Sequence, residues 1–426
     1  MLDAKFVREN LSAFRKSLKK RYINIDLEKI LELDEKRAKL QRDLDQKRAE
    51  RNRIAKQFAQ SPEAKKQLTA KGKKVKEEID KLEKEFSKIT QELENLLLQV
   101  PNLVASDVPE GRTEEENVEI KKWGKLPKFN FKPKDHVELG EKLDIIDFAA
   151  GAQVAGSRFY YLKNQAALLE LALINFAFEI LTKKGFVPVI TPELVKERIT
   201  TGTGFRPRSE LEEQIYKIEG HDLYLVATAE VPLLGLHADS IFAETELPKK
   251  YLGFSTSFRT EAGSWGKDVR GILRTHQFDK VEMFVFCAPR DSEKIHQQLL
   301  SDEEEIYRSL EIPYRVVNVC AGDLGSPAYK KYDIEAWIPS QGRFREITSC
   351  SNTTDYQARR LNIKYKETRD ARLETRYVHT LNATAIAIGR TLIAILENYQ
   401  QKDGQIYVPK VLQKYTGFSK IPPKSK

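Results

Sequence analysis

Phe258-Arg259-Thr260-Glu261 is followed by a loop holding Gly263, Gly266 and Gly271, then by Arg270-Gly271-Ile272-Leu273-Arg274-Thr275-His276-Gln277-Phe278 and by Val281-Glu282. The flanking strings, YLGFSTSF up to Phe258 and VEMFVFC from Val281, are short and rich in aromatic and β-branched residues. They predict two strands joined by a glycine-rich loop, forming an antiparallel pair. Arg259 and Glu261 are two apart, so on a strand they share a face and set a cation beside an anion on a sheet floor. Such a floor suits a zwitterionic or phosphate-bearing ligand. An ordinary cross-strand ion pair uses the same spacing, so the surrounding chain must decide between them.

Downstream of this pair, YDIEAWIP (332–339) and FREITSCSN (344–352) have strand character, and Asn382 to Tyr399 passes from strand to helix through IGRTLIAILEN. Upstream, LYLVATAE (223–230) also has strand character, and a helix is expected over Gln165 to Lys183. The helix leads into an extended run, Gly185 to Pro192, whose prolines keep it away from a sheet centre. From about Asp135 onward helices and strands mix, an α+β pattern. The stretch from Pro101 to about Asn130, with Pro109-Glu110-Gly111, the acidic run Glu114 to Glu116 and Pro127, has the character of a linker.

The N-terminal part is entirely helical in pattern. A first amphipathic helix is expected over Asp3 to Lys20. Apolar or long-stemmed residues then recur in steps of three and four from Ile30 to Phe58 and again from Leu68 to Val100, stopping at Pro101. Between the two series, Ser61-Pro62-Glu63 combines a capping residue, a first-turn proline and a first-turn acid. The pattern predicts an antiparallel helical hairpin, a coiled-coil arm with helices roughly 40 Å long that projects from the rest. Heptads alone serve dimerisation or spacing. Charge adds a third use, because Arg42 to Lys76, the half nearest the turn, holds 12 Lys+Arg against 4 Asp+Glu. The rest of the arm, Asp26 to Gln41 and Glu77 to Val100, holds 7 against 12. The excess positive charge of the outer half is what a phosphate backbone attracts, and with only Phe58 as an aromatic there, base stacking is not expected.

Bulk properties limit the remaining choices. A chain of 426 residues, 40% hydrophobic, is long enough for two or three domains, and a net charge of +9 permits a polyanionic partner without requiring one. Cys287, Cys320 and Cys350 are far apart, which fits neither a disulfide framework nor closely spaced zinc ligands, so a reducing cytoplasm is expected and no structural zinc. The longest apolar stretch, Ala166 to Leu181, is broken by Glu170, Asn175 and Glu179, and MLDAKFVREN has no apolar signal core. Neither a membrane span nor secretion is expected.

Taken together, these strings resemble the class II aminoacyl-tRNA synthetases, and within them the seryl-tRNA synthetase family of the bacterial kind. Gly185 to Pro192 resembles the first class motif, whose proline lies at a dimer interface. Phe258 to Glu282 resembles the second, and Asn382 to Asn398 with Arg390 the third. Thr228-Ala229-Glu230, Arg270-Gly271 through Phe278, and Glu346-Ile347-Thr348-Ser349-Cys350-Ser351-Asn352 resemble strings of the serine family, as does the basic hairpin. Two departures are visible. Ala383 and Thr384 stand where the family often has small Gly and Ser, and Thr348 replaces a frequent Ser. Both threonines keep a hydroxyl and add a methyl. Trp265 in the second-motif loop is unusual as well.

The resemblance implies an α+β catalytic domain, an antiparallel class II synthetase sheet flanked by helices, and a residue-by-residue chemistry. Joining serine to ATP brings a carboxylate against the α-phosphate, two anions that repel until cations neutralise them. By resemblance, Arg259 bridges the two and Arg390 takes the γ-phosphate, with Glu261 completing the catalytic set, while Glu346 and Ser349 hold Mg²⁺ on the phosphates. Phe278 stacks on adenine, with Thr260, Glu261 and Thr275 near its edge and Ile347 and Thr348 beside the nucleotide. Serine is held by Thr228, Ala229, Glu230, Arg259, Asn382 and Thr384, with Glu282 accepting its hydroxyl. Arg48, Arg51, Arg53, Lys56, Lys65, Lys66 and Lys73 face the long variable arm of tRNA(Ser), with tRNA(Sec) as a second candidate. The resulting expectation is residues 1–105 as tRNA-binding arm, 106–130 as linker and 131–426 as catalytic domain of a cytoplasmic homodimer using ATP and Mg²⁺. The competing readings are a class II-like ligase charging a carrier protein and a catalytically dead RNA-binding relative. The basic arm argues against the first, and intact Arg259, Glu261, Glu282, Glu346 and Arg390 against the second.

Overall fold

A computed structural model describes residues 2–60, 65–205, 214–261, 268, 270–369 and 372–423. The expected turn at Ser61-Pro62-Glu63, the loop residues Gly263, Trp265 and Gly266, and the tail residues Lys424 to Lys426 lie outside the described residues. The chain divides into two compact units, Met1–Pro101 and Asn102–Lys426.

The first unit consists of α1 (Ala4–Glu9), α2 (Leu11–Lys20), α3 (Leu27–Gln60) and α4 (Lys65–Gln99). The single helix expected over Asp3 to Lys20 is two. Asn10 leaves helical geometry at φ −119°, ψ 23°, and its side-chain amide donates to the Phe6 carbonyl, local bonding that lets Asn end a helix. In the long pair, Leu44, Val75 and Ile79 are buried together, with Ile54, Leu82 and Phe86 packed around them. The ion pairs Lys29–Glu92, Lys36–Glu85 and Lys47–Glu78 descend along α4 as they ascend along α3, so the helices run antiparallel. These exposed pairs contribute only tenths of a kcal/mol each, which leaves the apolar seam as the main stabilising contact.

The second unit is built on an eight-stranded sheet. Its strands are β1 (Val118–Trp123), β2 (Val187–Ile190), β3 (Lys249–Phe258), β4 (Gln277–Cys287), β5 (Tyr314–Asn318), β6 (Lys330–Ile338), β7 (Arg343–Asn352) and β8 (His379–Ala387). Their order is β1-β5-β6-β7-β8-β4-β3-β2, antiparallel throughout except for the parallel β2–β3 pair. Val281, Met283 and Val285 of β4 join a core with residues of α5 (Asn164–Thr182), α6 (Ser292–Ser309) and α7 (Ile388–Asn398). Phe284 and Phe286 pack on the opposite face with Ala229, Leu233 and Leu234. Both faces of β4 are covered, which is why VEMFVFC is nearly continuous in apolar character instead of alternating. Glu282 shares the face of Phe284 and Phe286, toward the short helix Glu230–Gly235.

Two sequence expectations change. Residues 106–130, expected as linker, contain β1, which pairs with β5 at the sheet edge; it is exposed on both faces, and the alternation Val118-Glu119-Ile120-Lys121 is the signal that marks it. LYLVATAE is a strand only at Tyr224–Leu225, since the backbone turns after Val226 into the helix beginning at Glu230. The Gly185 to Pro192 run holds β2, and Pro188 is accommodated because β2 lies at the edge. Helix α5 is by length and composition apolar enough to cross a membrane. Its Leu169, Leu173, Phe176 and Leu181 are instead buried in the core, which accounts for that apolarity.

Candidate active site

β3 ends at Phe258, so Arg259 and Glu261 are not on a strand and the two-residue alternation does not set their directions. They converge by another route. Arg259 is tied to the start of β4 by two backbone-side bonds: its N–H donates to the His276 carbonyl at 2.9 Å, and His276 Nδ1 donates back to the Arg259 carbonyl at 2.9 Å. Glu261 has φ 53°, in the left-handed region, and its carboxylate accepts from Arg274 Nη1 at 2.7 Å. Both residues line one cleft, together with Thr275, Phe278, Lys280, Glu346, Ile347, Thr348, Ser349, Thr384 and Arg390.

Two irregularities in the sheet aim side chains into this cleft. On β7, Glu346 and Ser349 are three apart and would face opposite sides of a regular strand. Ile334 pairs with Thr348 while Glu335 pairs with Glu346, leaving Ile347 as the extra residue of a bulge, and both side chains reach the cleft. On β8 the pairing jumps from Thr384–Glu282 to Ile386–Val281, so Ala385 is the extra residue beside Thr384. Thr384 lies directly across from Glu282 and donates to its Oε2 at 3.2 Å.

The charges are arranged for a polyanion. Arg390, in the first turn of α7, donates through Nη1 to Glu346 Oε1 at 2.9 Å. Partial burial works against ionising Glu346, whose side chain is 44% exposed, yet Arg390, Lys331 and Arg259 hold its carboxyl well below the usual range. Burial draws the Arg259 guanidinium below its ordinary value and Arg390 adds repulsion, with Glu261 opposing both. Among the described residues Arg259 makes no ion pair. It lies over the Phe278 ring at 5.2 Å and donates through Nε to the Ala227 carbonyl at 3.4 Å. Thr348 Oγ1 is buried without a hydrogen-bond partner at the cleft wall, a group that a bound ligand can satisfy.

Beside this cleft lies a second cluster of buried polar groups. Glu282 Oε2 also accepts from Lys280 Nζ at 2.5 Å, a buried ion pair. Glu230 Oε1 accepts from Asn382 Nδ2 at 3.0 Å and from Gln357 Nε2 at 2.6 Å. Burial pushes the Glu230 carboxyl up, and the Glu282 charge adds to it, to about 7. Opposite Glu282 on β3 stands Gly253, where a Cβ would fall 2.8 Å from Leu233 and 2.9 Å from Ala229. The missing side chain lets the Glu230 helix approach the sheet.

The remaining sequence candidates divide. Thr228 Oγ1 accepts from the Glu230 N–H at 3.4 Å and is buried, whereas the Ala229 side chain packs in the core. Thr260 is held by its backbone, N–H to the Gln214 carbonyl at 3.1 Å, and does not line the cleft. Sequence reasoning missed Arg274, Lys280 and Gln357. Lys280 had a signal, standing two residues before Glu282 on the same strand face. Gln357 had none. On the arm, Arg51, Arg53, Lys56, Lys65, Lys66 and Lys73 are exposed and, among the described residues, form no ion pair, while Arg48 is engaged with Glu83 at 2.8 Å.

Residues 214–399 match the tRNA synthetase class II core domain (G, H, P, S and T), and residues 1–104 match the seryl-tRNA synthetase N-terminal domain. The chain is 50% identical over 428 residues to the serine–tRNA ligase of Dictyoglomus turgidum and 51% identical over 428 residues to that of Dictyoglomus thermophilum, covering 100% of both chains in each case. Its fold is similar to the crystal structure of seryl-tRNA synthetase from Pyrococcus horikoshii complexed with ATP, with a TM-score of 0.87, 44% identity and 100% of each chain covered.

Proposed function

The chain belongs to the seryl-tRNA synthetase family of ATP-dependent serine–tRNA ligases, and from that premise we propose that its cleft first joins serine to ATP as seryl-adenylate and then passes serine to tRNA. The observation that carries the adenylate reading is the convergence of Arg259, Arg390 and the Glu346 carboxylate on one cleft whose neighbouring cluster holds two buried carboxylates. In the first step a serine carboxylate oxygen bonds to the α-phosphorus and pyrophosphate leaves. In the second a terminal hydroxyl of the tRNA attacks the serine carbonyl and AMP leaves. Arg259 neutralises the carboxylate and α-phosphate as they meet, and Arg390 takes the outer phosphates. Neither forms a covalent bond to substrate, so positioning and charge supply the catalysis.

Phe278 offers a ring for adenine, with Thr275 and Glu261 beside it. Glu230 accepts from the serine ammonium, with Thr228 and Asn382 beside it, and Glu282 accepts from the serine hydroxyl. Among the described residues one oxygen of each carboxylate is engaged by protein, which leaves the other for ligand. Alanine then leaves the Glu282 oxygen unpaired and is rejected. Among the described residues no three His, Cys, Asp or Glu side chains gather as a metal cage. The oxygens of Glu346 and Ser349 suit a Mg²⁺ held chiefly by ATP phosphates, where the ion would neutralise phosphate charge.

ATP–pyrophosphate exchange tested with each amino acid, with and without total tRNA, checks the whole reading. Serine alone is expected to support exchange, and serine is expected to appear on tRNA. Exchange without tRNA charging favours the carrier-protein ligase, and neither activity favours a dead site. Glu282→Gln is expected to raise KM for serine about tenfold or more and to narrow the preference for serine over alanine. It also leaves Lys280 buried without its counter-ion, at a stability cost of about 3–5 kcal/mol measurable by denaturant unfolding. An unchanged preference refutes the role given to Glu282.

Residues 1–105 are proposed as the tRNA-binding arm and 131–426 as the catalytic domain, with β1 of the intervening stretch belonging to the sheet. An arm that reads shape and backbone also admits selenocysteine tRNA. A homodimer is supported by an apolar band at the open sheet edge. Ile190 is 83% exposed and Val187 53% on β2, and Leu168 and Leu171 are exposed on α5, which packs beside it. Sedimentation at micromolar concentration as a dimer of 49.0 kDa chains is expected, and a monomer counts against it. Three free, buried thiols support a reducing cytoplasm as the working compartment.

A further inference from the structure

Gln357, in the helix Tyr356–Leu361, is fully buried and bonded on both sides of its amide. Its Nε2 donates to Glu230 Oε1 at 2.6 Å and to the Thr203 carbonyl at 3.1 Å. Its Oε1 accepts from Thr380 Oγ1 at 2.8 Å, and Thr353, 3.3 Å away, braces that hydroxyl. Two acceptors on one side and hydroxyls on the other leave the amide a single orientation, so it cannot flip without orphaning buried groups. Asn382 donates to the same Glu230 oxygen, and among the described residues no donor lies on Oε2.

We propose that Gln357 is a positioning residue for serine activation: by holding Glu230 Oε1 it turns Oε2 toward the substrate ammonium. This rests on the reading of Glu230 as the acceptor for that ammonium. The need for such a partner follows from the surroundings. Glu230 is buried, Glu282 repels its charge, and Lys280 and Arg259 offset that repulsion only in part, so a neutral Glu230 competes near pH 7. The Gln357 bond acts in the opposite direction, favouring the ionised carboxyl. Because a carboxylate binds an ammonium and a carboxylic acid does not, serine capture depends on it.

Gln357→Met removes the donor while keeping length. Gln357→Glu keeps the shape and the hydroxyl bond but sets a second carboxylate beside Glu230. In the full-length enzyme, both are expected to raise KM for serine in ATP–pyrophosphate exchange about tenfold, the effect of losing one charge-assisted hydrogen bond. KM for ATP should stay within twofold. The acid limb of kcat/KM for serine should move to higher pH in both, because losing the donor or adding a like charge disfavours ionised Glu230. A merely structural glutamine moves melting temperature without moving that limb. Glu230→Gln separates the two levels of the argument. If it leaves KM for serine unchanged, the reading of Glu230 falls. If it raises KM while a folded Gln357 variant keeps the parental KM and pH profile, the positioning role alone is overturned. Failure of both Gln357 variants to fold assigns the residue to the core and overturns it as well.

Discussion

Arg259→Ala is expected to lower ATP–pyrophosphate exchange by roughly a thousandfold, the scale seen when a preorganised charge partner of a transition state is removed. The folded state should be nearly as stable as before. Among the described residues Arg259 makes no ion pair, and its side-chain contacts are a stack over Phe278 at 5.2 Å and a 3.4 Å bond to Ala227. Such a stack contributes about 0.5–1 kcal/mol. The large effect belongs to the reaction, where two anions must approach each other in a site with few other unengaged cations: Arg274 is held by Glu261, Lys280 by Glu282 and Arg390 by Glu346. Arg259→Lys keeps the charge but not the planar fork that spans two oxygens, so its defect should be smaller yet still large. Exchange rates paired with thermal melts check both. Retention of exchange by the alanine variant within tenfold removes Arg259 from the chemistry.

Removing the basic charge of the arm is expected to have the second largest effect, and on a different assay. Deleting Arg42 to Lys76 takes away 12 Lys+Arg against 4 Asp+Glu, but also Leu44 and Val75 of the buried seam. Changing Arg48, Arg51, Arg53, Lys56, Lys65, Lys66 and Lys73 to glutamine leaves the seam intact and is the cleaner variant. Exchange without tRNA should remain within twofold, since the cleft is built wholly from Asn102–Lys426. Charging of tRNA at physiological salt should fall by roughly a hundredfold or more, and the dependence of log affinity on log salt should flatten by about 0.7–0.9 for each phosphate that the arm no longer neutralises. Arg48 should contribute least, because Glu83 already engages it. If the glutamine variant charges tRNA like the parent, the arm acts as a shape ruler or an association device, and the electrostatic account of it is wrong.

Much of the architecture is local in origin and could be read along the chain. The hairpin follows from a repeat of three and four carried through two long helices, the strand pair from VEMFVFC and YLGFSTSF, and the edge position of Gly185 to Pro192 from prolines that cannot donate to a ladder. Arg259, Thr275, Phe278, Glu346 and Arg390 were legible because their strings are dense and ordered. Register and bulges were not. The extra residues at Ile347 and Ala385, which turn Glu346 and Thr384 into the cleft, exist only once β6 meets β7 and β4 meets β8. The strand within 118–123, by contrast, alternates over Val118-Glu119-Ile120-Lys121 and was legible in the sequence. Gln357 meets Glu230 across 127 residues of sequence, and Asn382 meets it across 152. Periodicity and capping act over a turn of helix or a pair of strand residues, so the sequence by itself determined most of the elements, their types and most of the charged residues of the cleft. Which buried carboxylate is held, by whom, and which of its oxygens is left for a ligand depends on side chains brought together only by packing, and the tertiary structure alone decided it.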